Sequence, residues 1–118
     1  MNLFKWWIWP RTVRSDVMSL YKEGIALAEK HDAKGAMAAY TSAIERTDAP
    51  DDVKAMALYN RALLFAAGGN TQLALADLNT IMALPIPQRD VKLAARRRLD
   101  RLQHRLAAVA RVHRPSTT

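Results

Sequence analysis

Between Ser15 and Thr47 the apolar positions advance in steps of three and four. Val17, Leu20, Tyr21, Gly24, Leu27 and Ala28 form one run, Lys30-His31-Asp32 breaks it, and Ala36, Met37, Tyr40, Ala43 and Ile44 form a second. Such steps return to one side of an α-helix, so each run predicts an amphipathic helix. Ser15 suits the start of the first helix and Asp32 that of the second, because a short oxygen-bearing side chain accepts from the unpaired N–H groups of a first turn. Another pair begins near Asp51, where Pro50, Asp51 and Asp52 fit a first turn and its positive dipole end. It breaks at Gly68-Gly69-Asn70, with Gly available for a left-handed closing residue and Asn70 for a cap, and stops at Pro85-Ile86-Pro87.

The two pairs are copies of one another. An offset of 38 lays Leu20-Tyr21 on Leu58-Tyr59, Gly24 on Ala62, Leu27-Ala28 on Phe65-Ala66, Ala36-Met37-Ala38 on Ala74-Leu75-Ala76 and Tyr40 on Leu78. A fixed period that keeps small residues on small and large on large is the mark of stacked supersecondary units. Asp52-Val53-Lys54 returns at the same offset as Asp90-Val91-Lys92, which opens a third unit with one helix only. Its apolar stripe is Val91, Ala95, Leu99, Leu102, Leu106, Val109 and Ala110, while Arg97, Arg98, Arg101, His104, Arg105 and Arg111 are expected opposite it. The expected fold is all-α, a short α-solenoid of five helices in stacked antiparallel pairs. It divides into an arm over 1–14, repeat one over 15–47, repeat two over 51–84, a capping helix over 90–112 and a flexible tail over 113–118.

The pattern resembles the tetratricopeptide repeat, carried by Leu20, Gly24, Leu27, Ala36, Tyr40 and Ala43, then by Leu58, Ala62, Phe65, Ala74 and Leu78, with Ile81 in place of the last Ala. The joint between units, Asp48-Ala-Pro-Asp-Asp52, makes the period four residues longer than the family's usual one. The resemblance implies an inner face that holds an extended or helical peptide, with Tyr21, Ile25, Ala28, Tyr59, Asn60 and Leu63 as candidate groove residues. Asn60 also resembles one Asn of the carboxylate clamp in the co-chaperone branch. Ile25 and Tyr21 stand where that clamp has its other Asn and its Lys, so the clamp is incomplete, although Lys92 and Arg96 keep a four-residue spacing.

Composition adds a charge asymmetry. The 118 residues carry a net charge of +7, and the stretch from Arg89 onward accounts for all of it: nine basic residues stand there against Asp90 and Asp100. Arg97, Arg98, Arg101, Arg105 and Arg111 could therefore meet phosphates of RNA or DNA, or an anionic membrane surface, or serve only as a solvated cap. No aromatic interleaves them, so stacked bases have no platform.

With 50% apolar residues the chain can bury a core, and the absence of Cys excludes disulfides, thiolate metal sites and cysteine nucleophiles. His31, His104 and His113 have no carboxylates at metal-ligand spacing, and Gly68-Gly69 is not part of a phosphate loop. The expected activity is non-catalytic binding of a protein or peptide, without cofactor or metal. A signal peptide and a membrane span are not expected, and the expected compartment is the cytoplasm, with peripheral membrane contact left open.

Phe4, Trp6, Trp7 and Trp9, with Ile8 between them, gather all three Trp into the arm. Three sites are open to them: the face of the first helix pair, a second copy of the chain or another partner, and a lipid interface with Lys5, Arg11 and Arg14 at the headgroups. Each ring can bury about 150–250 Å², so rings that dock together offset the ordering of the backbone. Tryptophan emission should accordingly be blue-shifted or become so with protein concentration or anionic vesicles. Emission at the solvated wavelength under all three conditions would show the arm unused.

Overall fold

Short polar side chains and left-handed residues set the helix boundaries. The computed structural model describes residues 12–113. Among them every element is a helix: α1 (Val13–Glu29), α2 (Ala33–Glu45), α3 (Asp51–Ala67), α4 (Thr71–Ala83) and α5 (Val91–Val112). Adding 38 to the bounds of α1 and α2 returns those of α3 and α4. α1 starts ahead of the expected Ser15, because the Thr12 hydroxyl accepts from the Ser15 N–H at 3.0 Å and takes the capping role. Residues 12–14 thus belong to the helical body and not to the arm. Asp32 caps α2 as expected, its Oδ1 accepting from the Gly35 N–H at 2.9 Å. Asn70 holds the matching place before α4 but makes no side-chain cap bond.

The hairpin turns repeat as closely as the helices. His31 at φ 62° and Gly69 at φ 84° occupy the same left-handed place in the two units. The next N–H, of Asp32 or Asn70, then turns back to the carbonyl of Leu27 or Phe65 at 2.9 and 2.8 Å. Such a bond satisfies a carbonyl that the helix end leaves unpaired. Gly adopts this conformation without a Cβ clash, whereas His31 adopts it against one.

The hairpins α1–α2 and α3–α4 stack with α5 behind them, and α3 lies between two cores. Val53 and Ala57 of α3 join Val17, Ala36, Tyr40 and Ala43 of the first hairpin. Ala55, Leu58 and Ala62 join Ala74, Leu78 and Ile81 of α4 and Ala95, Leu99 and Leu102 of α5. The repeat equivalents of Val53 and Ala57 are Ser15 and Ser19, both exposed. The same helix is therefore written with a polar back where it ends the stack and an apolar back where it is interior. Size compensates across the offset too. The Tyr40 ring lies where a side chain on Gly24 would project, and in the second hairpin Ala62 takes the place of Gly24 while Leu78 takes that of Tyr40.

The apolar stripe of α5 is covered over only part of its length. Ala95, Leu99 and Leu102 are buried, Leu106 is half-buried, and Val109 and Val112 are 54% and 78% exposed. The expected continuation through Val109 and Ala110 fails because the 13-residue α4 ends before the 22-residue α5 does. No helix of the described residues is long and apolar enough to cross a membrane.

Two substitutions test these constraints in opposite directions. Gly24→Ala should lower stability by about 1–2 kcal/mol despite a gain in helix propensity, since the Cβ meets the Tyr40 ring, and adding Tyr40→Leu should recover part of the loss. His31→Gly should raise stability by about 0.5–1 kcal/mol by relieving the left-handed residue. Chemical denaturation monitored by circular dichroism reads both.

Candidate functional site

α3 touches α1 on one side and α5 on the other, so α1, α3 and α5 form one face of the stack while α2 and α4 form the opposite face. Two polar links hold α1 to α3. The Arg14 guanidinium forks onto Asp52, with Nη1 and Nη2 donating to the two carboxylate oxygens at 3.0 and 2.8 Å. Deeper in the joint, Asn60 Nδ2 donates to the Tyr21 hydroxyl at 3.1 Å and to the Met56 carbonyl at 3.0 Å. Tyr21 also leans on Tyr40, with ring centroids 6.1 Å apart. Burial, and then the neighbouring Tyr21, push the Tyr40 hydroxyl above its ordinary pKa.

All six residues expected at the groove, Tyr21, Ile25, Ala28, Tyr59, Asn60 and Leu63, are half-buried. Tyr21, Ile25 and Ala28 pack on the first core and Tyr59 on the second. The structure brings Tyr21 and Asn60 into direct contact, so this Asn is engaged by its own fold and is not held out as a ligand-binding amide. Met56 belongs with the set, since it borders a cavity of about 320 Å³ shared with Asp52, Ile86, Pro87, Arg89, Asp90 and Val91. It was not singled out in the sequence because its repeat equivalent, Met18, lies outside the matched positions.

Where α3 meets α2 and α4, an ion pair forms that sequence reasoning missed. Arg61 reaches out of α3 to Asp77 of α4, with Nε and Nη2 donating at 2.8 and 2.7 Å, and to the Thr41 hydroxyl of α2 at 3.2 Å. Its guanidinium lies 5.5 Å from the centroid of the Phe65 ring. Side-chain exposure is 18% for Arg61 and 7% for Asp77, and the hydrogen bonds to Asp77 hold the guanidinium above its ordinary pKa. The signal was present: Asp77 falls, at the offset of 38, on the buried Ala39. A carboxylate at a core position calls for a buried cation.

On α5, Arg97, Arg101, His104, Arg105 and Arg111 are exposed, as expected for a basic face. Arg98 departs from it. The residue is half-buried, and its Nε is shut off from solvent with no hydrogen-bond partner among the described residues. It sits on the edge of the packed stripe, one position before the buried Leu99. Lys92 is buried too, with 7% of its surface exposed. Lys92 and Arg96 line a second cavity, of about 310 Å³, with Met82 of α4. That places the four-residue Lys/Arg spacing on the α4 side of α5, away from Asn60.

Phe4, Trp6, Trp7 and Trp9 lie outside the described residues. Among the described residues no three His, Cys, Asp or Glu gather into a metal-binding group. No family model, curated protein or solved structure matches the chain.

The polar links differ in what they contribute. Asp77→Ala strands a half-buried guanidinium and should cost about 3 kcal/mol, whereas Arg61→Met with Asp77→Ala should cost less than the single change. For Asp52, the hydrogen bonds from Arg14 hold the carboxyl below its ordinary value of 3.8. The folded state therefore takes up this proton less readily than the unfolded chain. The stabilisation is complete above that ordinary value and is lost as pH falls through the lowered one. Asp52→Asn should remove this part of the acid destabilisation in a denaturation series taken below neutral pH.

Proposed function

We propose that the chain is a non-catalytic binding module of the tetratricopeptide type, which holds a peptide or protein segment along the face made by α1, α3 and α5. The observation that carries this reading is a row of half-buried apolar side chains on that face, Ile25, Met56, Tyr59 and Leu63, with polar groups at their margins. Apolar surface bordered by polar residues on a preformed scaffold is a usual setting of a binding site. The repeat pattern quoted above supports the same face by family position.

A second reading has its own observation. Arg97, Arg101, Arg105 and Arg111 are exposed and have no carboxylate partner among the described residues, while Arg96 leans on Asp100 at 3.7 Å. This favours an adaptor that lays the outer side of α5 on nucleic-acid phosphates or on an anionic membrane surface.

Random peptides displayed on phage and selected on the full chain separate the two. The groove reading expects selected peptides to lose about tenfold or more in affinity with Ile25→Asp or Leu63→Asp, at unchanged helical circular dichroism, and to tolerate Arg97→Ala with Arg111→Ala. Selected peptides indifferent to both groove substitutions would refute it. Binding of RNA or anionic vesicles that falls steeply with salt and vanishes with Arg97→Ala and Arg111→Ala would support the adaptor.

A further inference from the structure

Lys92 stands at a core position of α5 without a counter-ion. It heads the stripe that continues through Ala95, Leu99 and Leu102, and only 7% of its surface is exposed. Its equivalents one and two units earlier, Lys54 and Asp16, are half-buried. A buried charge is ordinarily matched by an opposite one. The acids of the surrounding helices are engaged elsewhere or lie on another flank. Asp77, the one carboxylate of α4, is held by Arg61, and Asp52 of α3 is held by Arg14. Asp100 lies 3.7 Å from Arg96, and Asp90 lines the other cavity with Arg89, on the α3 side of α5. Neither these nor Asp51 forms a hydrogen bond or ion pair with Lys92.

The ammonium is not sealed in. Among the described residues the unpartnered side-chain nitrogen shut off from solvent is the Arg98 Nε, and the Lys92 nitrogen is not. Its opening is the cavity of about 310 Å³ that it lines with Met82, Gln88, Leu93 and Arg96. Lys92 forms the floor, Met82 is half-buried, and Gln88, Leu93 and Arg96 are exposed at the mouth.

We propose that this cavity, at the corner between α4 and α5, binds the phosphate of a phosphomonoester that carries an apolar body. Lys92, Arg96 and Gln88 hold the oxygens, and Met82 and Leu93 meet the body. The site is independent of the groove reading, since it lies on the other flank of α5.

The charges and donors fit that group. Lys92 and Arg96 are two cations one helical turn apart, against the single carboxylate of Asp100. A phosphomonoester brings about −1.5 to −2 charges and three oxygens at neutral pH, where a carboxylate brings one charge and two oxygens. An ammonium serves it as a point charge and a guanidinium as a fork, with the Gln88 amide as a third donor. The first turn of α5, to which Lys92 and Leu93 belong, has no side-chain cap from Asp90, so its free N–H groups add partial positive charge. The cavity exceeds the volume of a phosphate alone, and the remaining wall is the thioether of Met82 and the 49% exposed Leu93.

The test titrates phenyl phosphate into the full ¹⁵N-labelled chain at neutral pH and about 0.15 M salt, following amide signals by nuclear magnetic resonance. Saturable shifts should centre on the Gln88 side chain, Lys92 and Leu93, with Kd of about 1 mM or below. Phenyl phosphate should bind about threefold or more tightly than inorganic phosphate, through the apolar contact, and about tenfold or more tightly than benzoate. Lys92→Met keeps the length of the stem and removes the charge. It should weaken phenyl phosphate about tenfold or more without lowering the denaturation midpoint, because an apolar group replaces an unpaired buried cation. Arg96→Gln, at an exposed position that leaves the fold intact, should weaken it about threefold.

A phosphotyrosine flanked by alanines distinguishes two sources of the same group: binding equal to that of phenyl phosphate assigns the site to a phosphorylated side chain, and its exclusion while phenyl phosphate binds assigns it to a free small molecule. Lack of saturation by about 10 mM phenyl phosphate overturns the proposal. So does affinity unchanged by both Lys92→Met and Arg96→Gln, or equal affinity for benzoate. Binding that is lost instead with Arg97→Gln and Arg101→Gln also overturns it, because the anion then sits on the outer side of α5.

Discussion

The burial of α3 on two opposite sides is the constraint on which the rest depends. Val53 and Ala57 belong to one core and Ala55, Leu58 and Ala62 to the other, so neither hairpin has a complete interior without this helix. Of these five side chains, three are Ala, and small residues let neighbouring helices approach on both sides. The larger groups that fill the remaining space come from the neighbours: Tyr40 from α2, and Leu78 and Ile81 from α4. Stability in such a stack is a property of interfaces between units, not of either hairpin alone.

That arrangement also decides which surfaces are left to do something. The outer side of α1 carries Ser15, Ser19, Lys22 and Glu23, and the outer side of α5 carries Arg97, Arg101, His104 and Arg111, so both ends of the described stack are polar. Between α3 and its neighbours Arg61 is a tie, its fork holding Asp77 of α4 while its remaining nitrogen reaches α2. The α1–α3–α5 face carries a row of half-buried apolar side chains, Ile25, Met56, Tyr59 and Leu63.

Arg61 and Arg98 show two fates of a cation beside a core. Both are half-buried. Arg61 has a carboxylate at 2.7 Å, a hydroxyl and a ring, and functions as a structural tie. Arg98 has a sealed Nε with no acceptor. Geometry, not residue type, decides which arginine becomes a tie.

The five helices, their offset of 38, the Asp32 cap and the turn at Gly69 were legible in the sequence, because each is dictated by residues within a few positions of one another. Periodicity records which side of a helix is apolar, and a repeated pattern records that the same packing recurs. The start of α1 was misplaced since Thr12 and Ser15 are chemically equivalent caps, and only the backbone path chooses between them. Whether Ala57 is interior while its equivalent Ser19 is at the surface can be read from residue type. Which flank of α5 meets α3 cannot, because it depends on how one helix is rotated against two others. That rotation sent Lys92 toward α4 and left Arg98 half-buried beside an exposed Arg97, splitting a run of arginines that looks uniform in sequence, and the packing of α3 on α4 paired Arg61 with a residue 16 positions away. Local chemistry set the elements; the side-chain neighbours, and with them the candidate site, were decided by long-range packing.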